Sequence, residues 1–432
     1  MSDRWDREQV LGLAPDAASA KAAGGVAEPA KWAGTGCDDE AVWGECRGSG
    51  KSAYRTCADL TEPAFRCSCP SRKFPCKHSL GLLLLWAEGA VDGGPRPGWA
   101  AEWMEERRAR AEKAVERRAA SAAKARDPKT VERRERRVDD GLAELDRWLH
   151  DQVAHGLAQA EKAPYKMWDD VARRLVDAQA SALAGHVRGL AAIPRRPDWP
   201  GRLLEEYALL RLLVRAYRRR DELPEGLRDT VRSRVGFTVP QDEVLADGEK
   251  VRDRWCVIGQ RDTAQELLTT RRVWLRGRRT GRPALVLSFA APGTSLDASL
   301  VVGTEIEADL AFYPGSPPLR ALVAGRDGPV APGRPAGTSV RAFLDEHAAA
   351  LAQDPWIDRW PATLESVRLA RADGGDLFAV DDAGDALPLR PIDPWRLLAL
   401  SGGGPVTMAG EWSPRGLRPL AAWHDDEGTV IV

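Results

Sequence analysis

The sequence predicts a multidomain α+β protein: a small ββα unit near the N-terminus, then a helical bundle, then a β-rich C-terminal domain. Three observations predict it. Six of the seven cysteines fall between Cys37 and Cys76, with only Cys256 beyond. Apolar residues recur at helical spacing from about 130 to 235, and from about 238 the pattern turns to short alternating runs between Gly-marked turns. A chain of 432 residues is too long for one core.

Bulk composition bounds the partners. Hydrophobic residues make up 43% and charged residues 29%, an ordinary soluble balance. The net charge of −1 gives no overall pull toward nucleic acid or an anionic membrane, so any basic surface must be local. Arg is abundant beside plentiful Ala, Gly and Pro, the accent of a high-GC genome, so arginine number alone is weak grounds for nucleic-acid binding. Residues 1–23 carry charges throughout and hold no apolar run, unlike a signal peptide. The longest apolar run, 80–87, is far shorter than the ~20 residues of a membrane span. The expectation is a soluble cytoplasmic protein with no membrane partner.

Taken in order, residues 1–40 are Ala/Gly-rich and read as a partly ordered arm. Residues 41–88 read as strands followed by an apolar helix. Within them, GECRGSGKS (44–52) ends like a phosphate-cradling loop. The motif needs a glycine at 45, which is Glu45, and a helix afterwards, whereas 54–60 alternates like a strand. A hairpin turn is the better reading, and no nucleotide is expected. Residues 89–129 form a Gly/Pro linker and a charged helix. From 104 to 137 there are 13 Lys/Arg against 7 Asp/Glu, interleaved as on a solvated, ion-paired helix.

Residues 130–237 form the helical domain. Val138, Leu142, Leu145, Leu149 and Val153 share one spacing; Val171, Leu175, Ala178, Leu183, Val187 and Leu190 a second; Leu203, Leu204, Tyr207, Leu210 and Leu213 a third. Residues 238–432 form the β-rich α+β domain. A hairpin is predicted over 271–290, a second strand pair over 299–314, a helix over 340–356 and a meander over 366–392.

The chemistry concentrates at 65–86. Cys67-x-Cys69 is followed after six residues by Cys76-x-His78. Residues i and i+2 of a strand share a face, so Cys67 and Cys69 can grip one ion. Pro70 and Pro75 bracket a turn that brings Cys76 and His78 to the start of the next helix. Three thiolates and one imidazole make the closed tetrahedral set that a structural Zn2+ prefers, with no position left for substrate. Buried incidental thiols are the competing reading, made poor by so tight a window.

This stretch resembles the SWIM-type zinc finger, whose pattern is C-x-C, a gap, then C-x-H. All four ligand positions are matched, by Cys67, Cys69, Cys76 and His78. The chain as a whole looks like a bacterial SWIM-finger protein. The resemblance implies one structural zinc and a DNA or protein partner. Arg66, Arg72, Lys73 and Lys77 accompany no acid within 65–78. They are candidate phosphate contacts, or else stabilise the anionic site from its periphery.

Other candidates are weaker. Cys37, Cys46 and Cys57 lack a fourth ligand, and Cys256 reads as a core thiol. His150 and His155 do not align on a helix. The acids and histidine of 423–429 read as an exposed turn. The 16 tryptophans sit mostly beside Pro or within apolar runs, where packing is the default. No nucleophile stands with a paired base. The leading expectation is a non-enzymatic, zinc-binding protein that meets nucleic acid through its finger loop. The alternatives are a protein–protein adaptor and an enzyme with an unrecognised site in 240–432.

Overall fold

The computed structural model describes residues 4–47, 52–61, 63–71, 73–122, 128–265, 268–291, 296–424 and 428–432. The chain opens with α1 (Arg7–Gly12) and α2 (Ala17–Gly24). Asp6 and Gln9 close a reciprocal capping box on α1, each backbone N–H donating to the other's side chain at 2.7 Å. Much of the stretch expected as a partly ordered arm is therefore folded into two helices, and Trp5 and Val10 are buried in the main core.

Four antiparallel strands follow: β1 (Trp32–Cys37), β2 (Ala41–Cys46), β3 (Tyr54–Asp59) and β4 (Ala64–Cys67), ordered β1-β2-β3-β4. The sheet therefore begins before residue 41. β2 pairs with β3 from Ala41↔Asp59 to Cys46↔Tyr54, so a strand follows the Gly-Lys-Ser stretch where a phosphate loop would lead into a helix. Residues 48–51 of that turn, Lys51 included, lie outside the described residues. Next, α3 (Lys77–Ala87) is buried at every residue from His78 to Trp86. A helix apolar all round belongs inside a core, not on a surface.

The charged helix, α4 (Gly98–Ala122), is not wholly solvated. Its first turns dock on the finger sheet, with Trp103 and Met104 buried against Trp43 and Cys57. Arg107 Nε meets the buried Asp59 Oδ2 at 3.2 Å.

The bundle comprises α5 (Pro128–Ala154), the short α6 (Ala158–Glu161), α7 (Tyr165–Asp177), α8 (Ser181–Leu190), α9 (Trp199–Arg218) and α10 (Glu225–Val235). Its core holds Leu142, Leu145, Trp168, Leu175, Val187, Tyr207 and Leu210. The second apolar stripe is two helices, because Gln179 takes a left-handed φ of 64° between them. Val153 and Leu204, placed on core stripes by spacing, are 49% and 47% exposed.

After α11 (Gln241–Asp247), a helix where strand was expected, five strands close a barrel: β5 (Lys250–Gln265), β6 (Leu268–Gly277), β7 (Pro283–Ala290), β8 (Thr304–Phe312) and β9 (Arg320–Pro332). The expected pair at 299–314 is the single strand β8. The order β8-β5-β6-β7 is a Greek key. β9 closes it, antiparallel to β8 and parallel to β7 through Leu285↔Arg320 and Val286↔Ala321.

The last unit carries α12 (Val340–Gln353), the antiparallel meander β10 (Trp360–Arg371), β11 (Leu377–Val380) and β12 (Ala386–Pro388), then α13 (Trp395–Ser401), β13 (Val406–Trp412), β14 (Arg418–His424) and β15 (Gly428–Ile431). Its sheet runs β12-β11-β10-β13-β14-β15. One continuous core joins the leucines of α3 to Trp255, Ile306, Leu310 and Phe312 of the barrel, whereas the bundle has a core of its own. Among the described residues, no helix is long and apolar enough to cross a membrane.

Candidate metal centre

The four predicted ligands converge. Cys67 ends β4, Cys69 follows two residues on, Cys76 is the N-cap of α3, and His78 lies in its first turn. One ligand atom from each of the four lies within 4.8 Å of the others. The Sγ atoms of Cys67 and Cys76 stand 3.8 and 3.9 Å from His78 Nδ1, so Nδ1 is the nitrogen turned inward. With Zn–S of about 2.3 Å and Zn–N of about 2.0 Å, the edges of a tetrahedron are about 3.5–3.8 Å. The donor set and its spacing fit zinc.

Neighbouring residues fix these donors. β3 holds β4 in register through Thr56↔Cys67, and Thr56 Oγ1 lies 3.2 Å from Cys67 Sγ. Ser68 ties the C-x-C segment to Arg55 twice, its N–H donating to Arg55 O and its Oγ accepting from Arg55 N, both at 3.0 Å. Tyr54 lies against the His78 imidazole at 4.9 Å between ring centroids. Ser79 Oγ sits 3.5 Å from Cys76 Sγ. Cys67 and Cys76 share a hydrogen bond that pushes the Cys67 thiol up and holds Cys76 well below the ordinary thiol value. Crowded sulfurs that cannot all ionise alone are what a dication relieves.

The remaining cysteines stand apart. Cys37, Cys46 and Cys57 are buried strand residues. Burial pushes all three thiols up, Cys57 to about 12, and pushes Cys256 up as well. Among the described residues none joins the metal cluster.

The finger-loop cations are placed less freely than their number suggested. Arg66 Nη1 lies 3.8 Å from Glu106 of α4, and Lys73 Nζ pairs with Asp16 at 2.6 Å. Lys77 is exposed at the start of α3, and Arg72 lies outside the described residues.

One feature had no sequence signature. A cleft of about 500 Å3 lies between the bundle and the barrel. Arg272, Trp274, Leu285 and Leu287 of β6 and β7 form one wall, with Arg232 and Arg234 of α10 across from them. The two walls come from segments far apart in the chain, and β6 itself, with Arg271 and Arg272 adjacent before Val273, Trp274 and Leu275, carries no local mark of the cleft.

Two family models match the chain. Residues 66–87 match the SWIM zinc finger, and residues 133–235 match the SWIM-associated four-helix bundle domain. No curated protein and no solved structure matches. The four ligands, their closed geometry and the bundle that follows lead to one conclusion: the chain carries a SWIM zinc finger, built to hold a single zinc ion on Cys67, Cys69, Cys76 and His78, together with the helical domain that accompanies such fingers.

Proposed function

We propose that this is a non-catalytic nucleic-acid-binding protein whose zinc is structural and whose binding surface is the cleft, not the finger loop. One observation carries the reading: the second and third strands of a closed five-stranded Greek-key barrel wall a cleft lined by six arginines and four acids. In OB-type barrels, also five-stranded Greek keys, that same face receives oligonucleotides. The finger supports the reading indirectly. Its helix is spent on the core, and Arg66 and Lys73 are spent on acids of the same chain. It braces the barrel rather than presenting a recognition helix.

The test is fluorescence anisotropy of labelled single- and double-stranded DNA with zinc-loaded protein, at low and physiological salt. Single strands are expected to bind, with log K falling by about 0.7 per decade of salt for each phosphate contacted. Absence of binding to either at low salt, with zinc content confirmed, would overturn the proposal and leave a protein–protein adaptor as the better reading.

A further inference from the structure

Several arginines crowd one buried carboxylate beside the cleft. Arg261 of β5 and Arg272 of β6 stand directly opposite each other in the strand register. Like charges so placed repel. Glu411 of β13, 2% exposed, accepts from Arg261 Nη1 and Arg359 Nη1 at 2.7 Å each, and Trp274 Nε1 donates to its other oxygen at 3.3 Å. Arg418 of β14 is the register partner of Glu411 yet makes no ion pair with it, and its Nε is buried without a hydrogen-bond partner. Arg390 lies alongside, its backbone N–H donating to Leu417 O at 2.8 Å.

Five guanidiniums from five segments thus surround one buried carboxylate. The exposed Asp358, 3.3 Å from Arg359, adds a second negative charge, so the cluster carries five positive charges against two, a net of +3. Burial, and then the neighbouring guanidiniums, push Arg272, Arg390 and Arg418 below the usual arginine value. Arginine does not shed its proton to escape such crowding. The remaining relief is an anion. Forked guanidinium donors match phosphate oxygens in pairs, and Arg272 and Arg359 open the cluster onto the cleft.

We propose that Arg261, Arg272, Arg359, Arg390 and Arg418 form a phosphate-binding site at the cleft, which holds backbone phosphates of a single nucleic-acid strand laid along β6 and β7. The polymer's identity rests on the function proposed above; the affinity for phosphate does not.

The test uses the full zinc-loaded chain and the double variant Arg272→Gln/Arg418→Gln, which leaves both ion pairs of Glu411 intact. Thermal melts are run without anion and with inorganic pyrophosphate. Anisotropy is run with labelled oligo-dT across a salt series. Pyrophosphate is expected to raise the wild-type melting temperature and leave the variant unmoved. In anion-free buffer the variant should melt at or above wild type, since it loses repulsion. Its oligo-dT affinity should fall at least tenfold, with a salt slope shallower by about 1.4 for two lost phosphate contacts.

If pyrophosphate protects wild type alone while oligo-dT binds neither protein, the site stands as one for a small phosphate and the nucleic-acid reading falls. If oligo-dT binds both equally, and Arg66→Gln/Lys73→Gln abolishes binding instead, the site is refuted and the finger is the contact. A variant that melts well below wild type without anion would also refute the site, showing that the two arginines stabilise the fold rather than await a ligand.

Discussion

Replacing Cys76 by serine should unfold more than the finger. Cys76 caps α3 and supplies one of four zinc donors. A structural zinc of this type contributes roughly 10–16 kcal/mol of apparent binding free energy at neutral pH, comparable with the whole stability of a domain. Leu80, Leu82, Leu83, Leu84 and Leu85 are all 0–2% exposed on the helix that the metal anchors. At about 1.5–3 kcal/mol per buried side chain, five leucines carry roughly 8–15 kcal/mol, all dependent on α3 staying docked. Those leucines share their core with Trp255, Ile306 and Leu310 of the barrel, whereas the bundle core is separate. The expected outcome is therefore selective. Hydrogen exchange of the full chain, followed by mass spectrometry with zinc assayed in parallel, should show metal loss and collapse of protection in both the finger sheet and β5–β8. Protection in α5, α7 and α9 should persist. Full metal content in the variant would refute the ligand assignment. Exchange confined to 64–79, with the barrel still protected, would refute the argument that zinc braces the shared core.

Other perturbations test neighbouring parts of the structure. Gly81→Ala would place a Cβ 2.6 Å from Val26 Cγ2, so the gain in helix propensity should be outweighed and denaturant unfolding should show a net loss of about 1–2 kcal/mol. Leu142→Ala, at a fully buried bundle position, should cost about 2–5 kcal/mol in the bundle transition while zinc stoichiometry stays unchanged. Glu411→Gln would leave Arg261 and Arg359 without their buried partner and should cost about 3–5 kcal/mol at neutral pH by denaturant titration. Burial opposes ionisation of Glu411, yet Arg359 and Arg261 outweigh it and hold its pKa below the ordinary 4.5. Its contribution should thus be complete above pH 4.5 and fade as pH falls through the lowered value, so wild-type and Glu411→Gln melting temperatures should converge in acid.

The parts of this protein that were legible in the sequence are those built from near neighbours. All four zinc ligands lie within twelve residues on a strand and a helix start, so their residue types and spacing carry the geometry. The bundle was legible because Val138, Leu142, Leu145 and Leu149 repeat a helical period. It failed at Val153, which falls in the last turn of α5, and at Gln179, where a left-handed turn splits two helices with no Gly or Pro to mark it. The Asp6–Gln9 capping signature was present in the sequence and would have shown that the N-terminal segment is helical. Barrel closure was not legible, because the β7–β9 and β5–β8 pairings join segments with no local mark of each other. The guanidinium cluster was hidden for the same reason, since its members run from Arg261 to Arg418 and only the fold brings them together.

The core shared by α3 and the barrel also imposes an order on synthesis. The ligands of the zinc site emerge together, so the metal can load as soon as His78 leaves the ribosome. The leucines behind it are covered in two stages: α1, α2 and the finger sheet pack on α3 at once, and the barrel completes the core later. Leu85 precedes Trp255 by 170 residues. At about 5–20 residues per second, the finger waits for the barrel side of its core for roughly 10–30 s. During that interval the helical domain is made and folds on its own core, between two halves of another core that have not yet met. By then α4 already covers the opposite face of the finger sheet, where Trp103 and Met104 sit on Trp43 and Cys57, so only the barrel-facing side of the finger is left waiting.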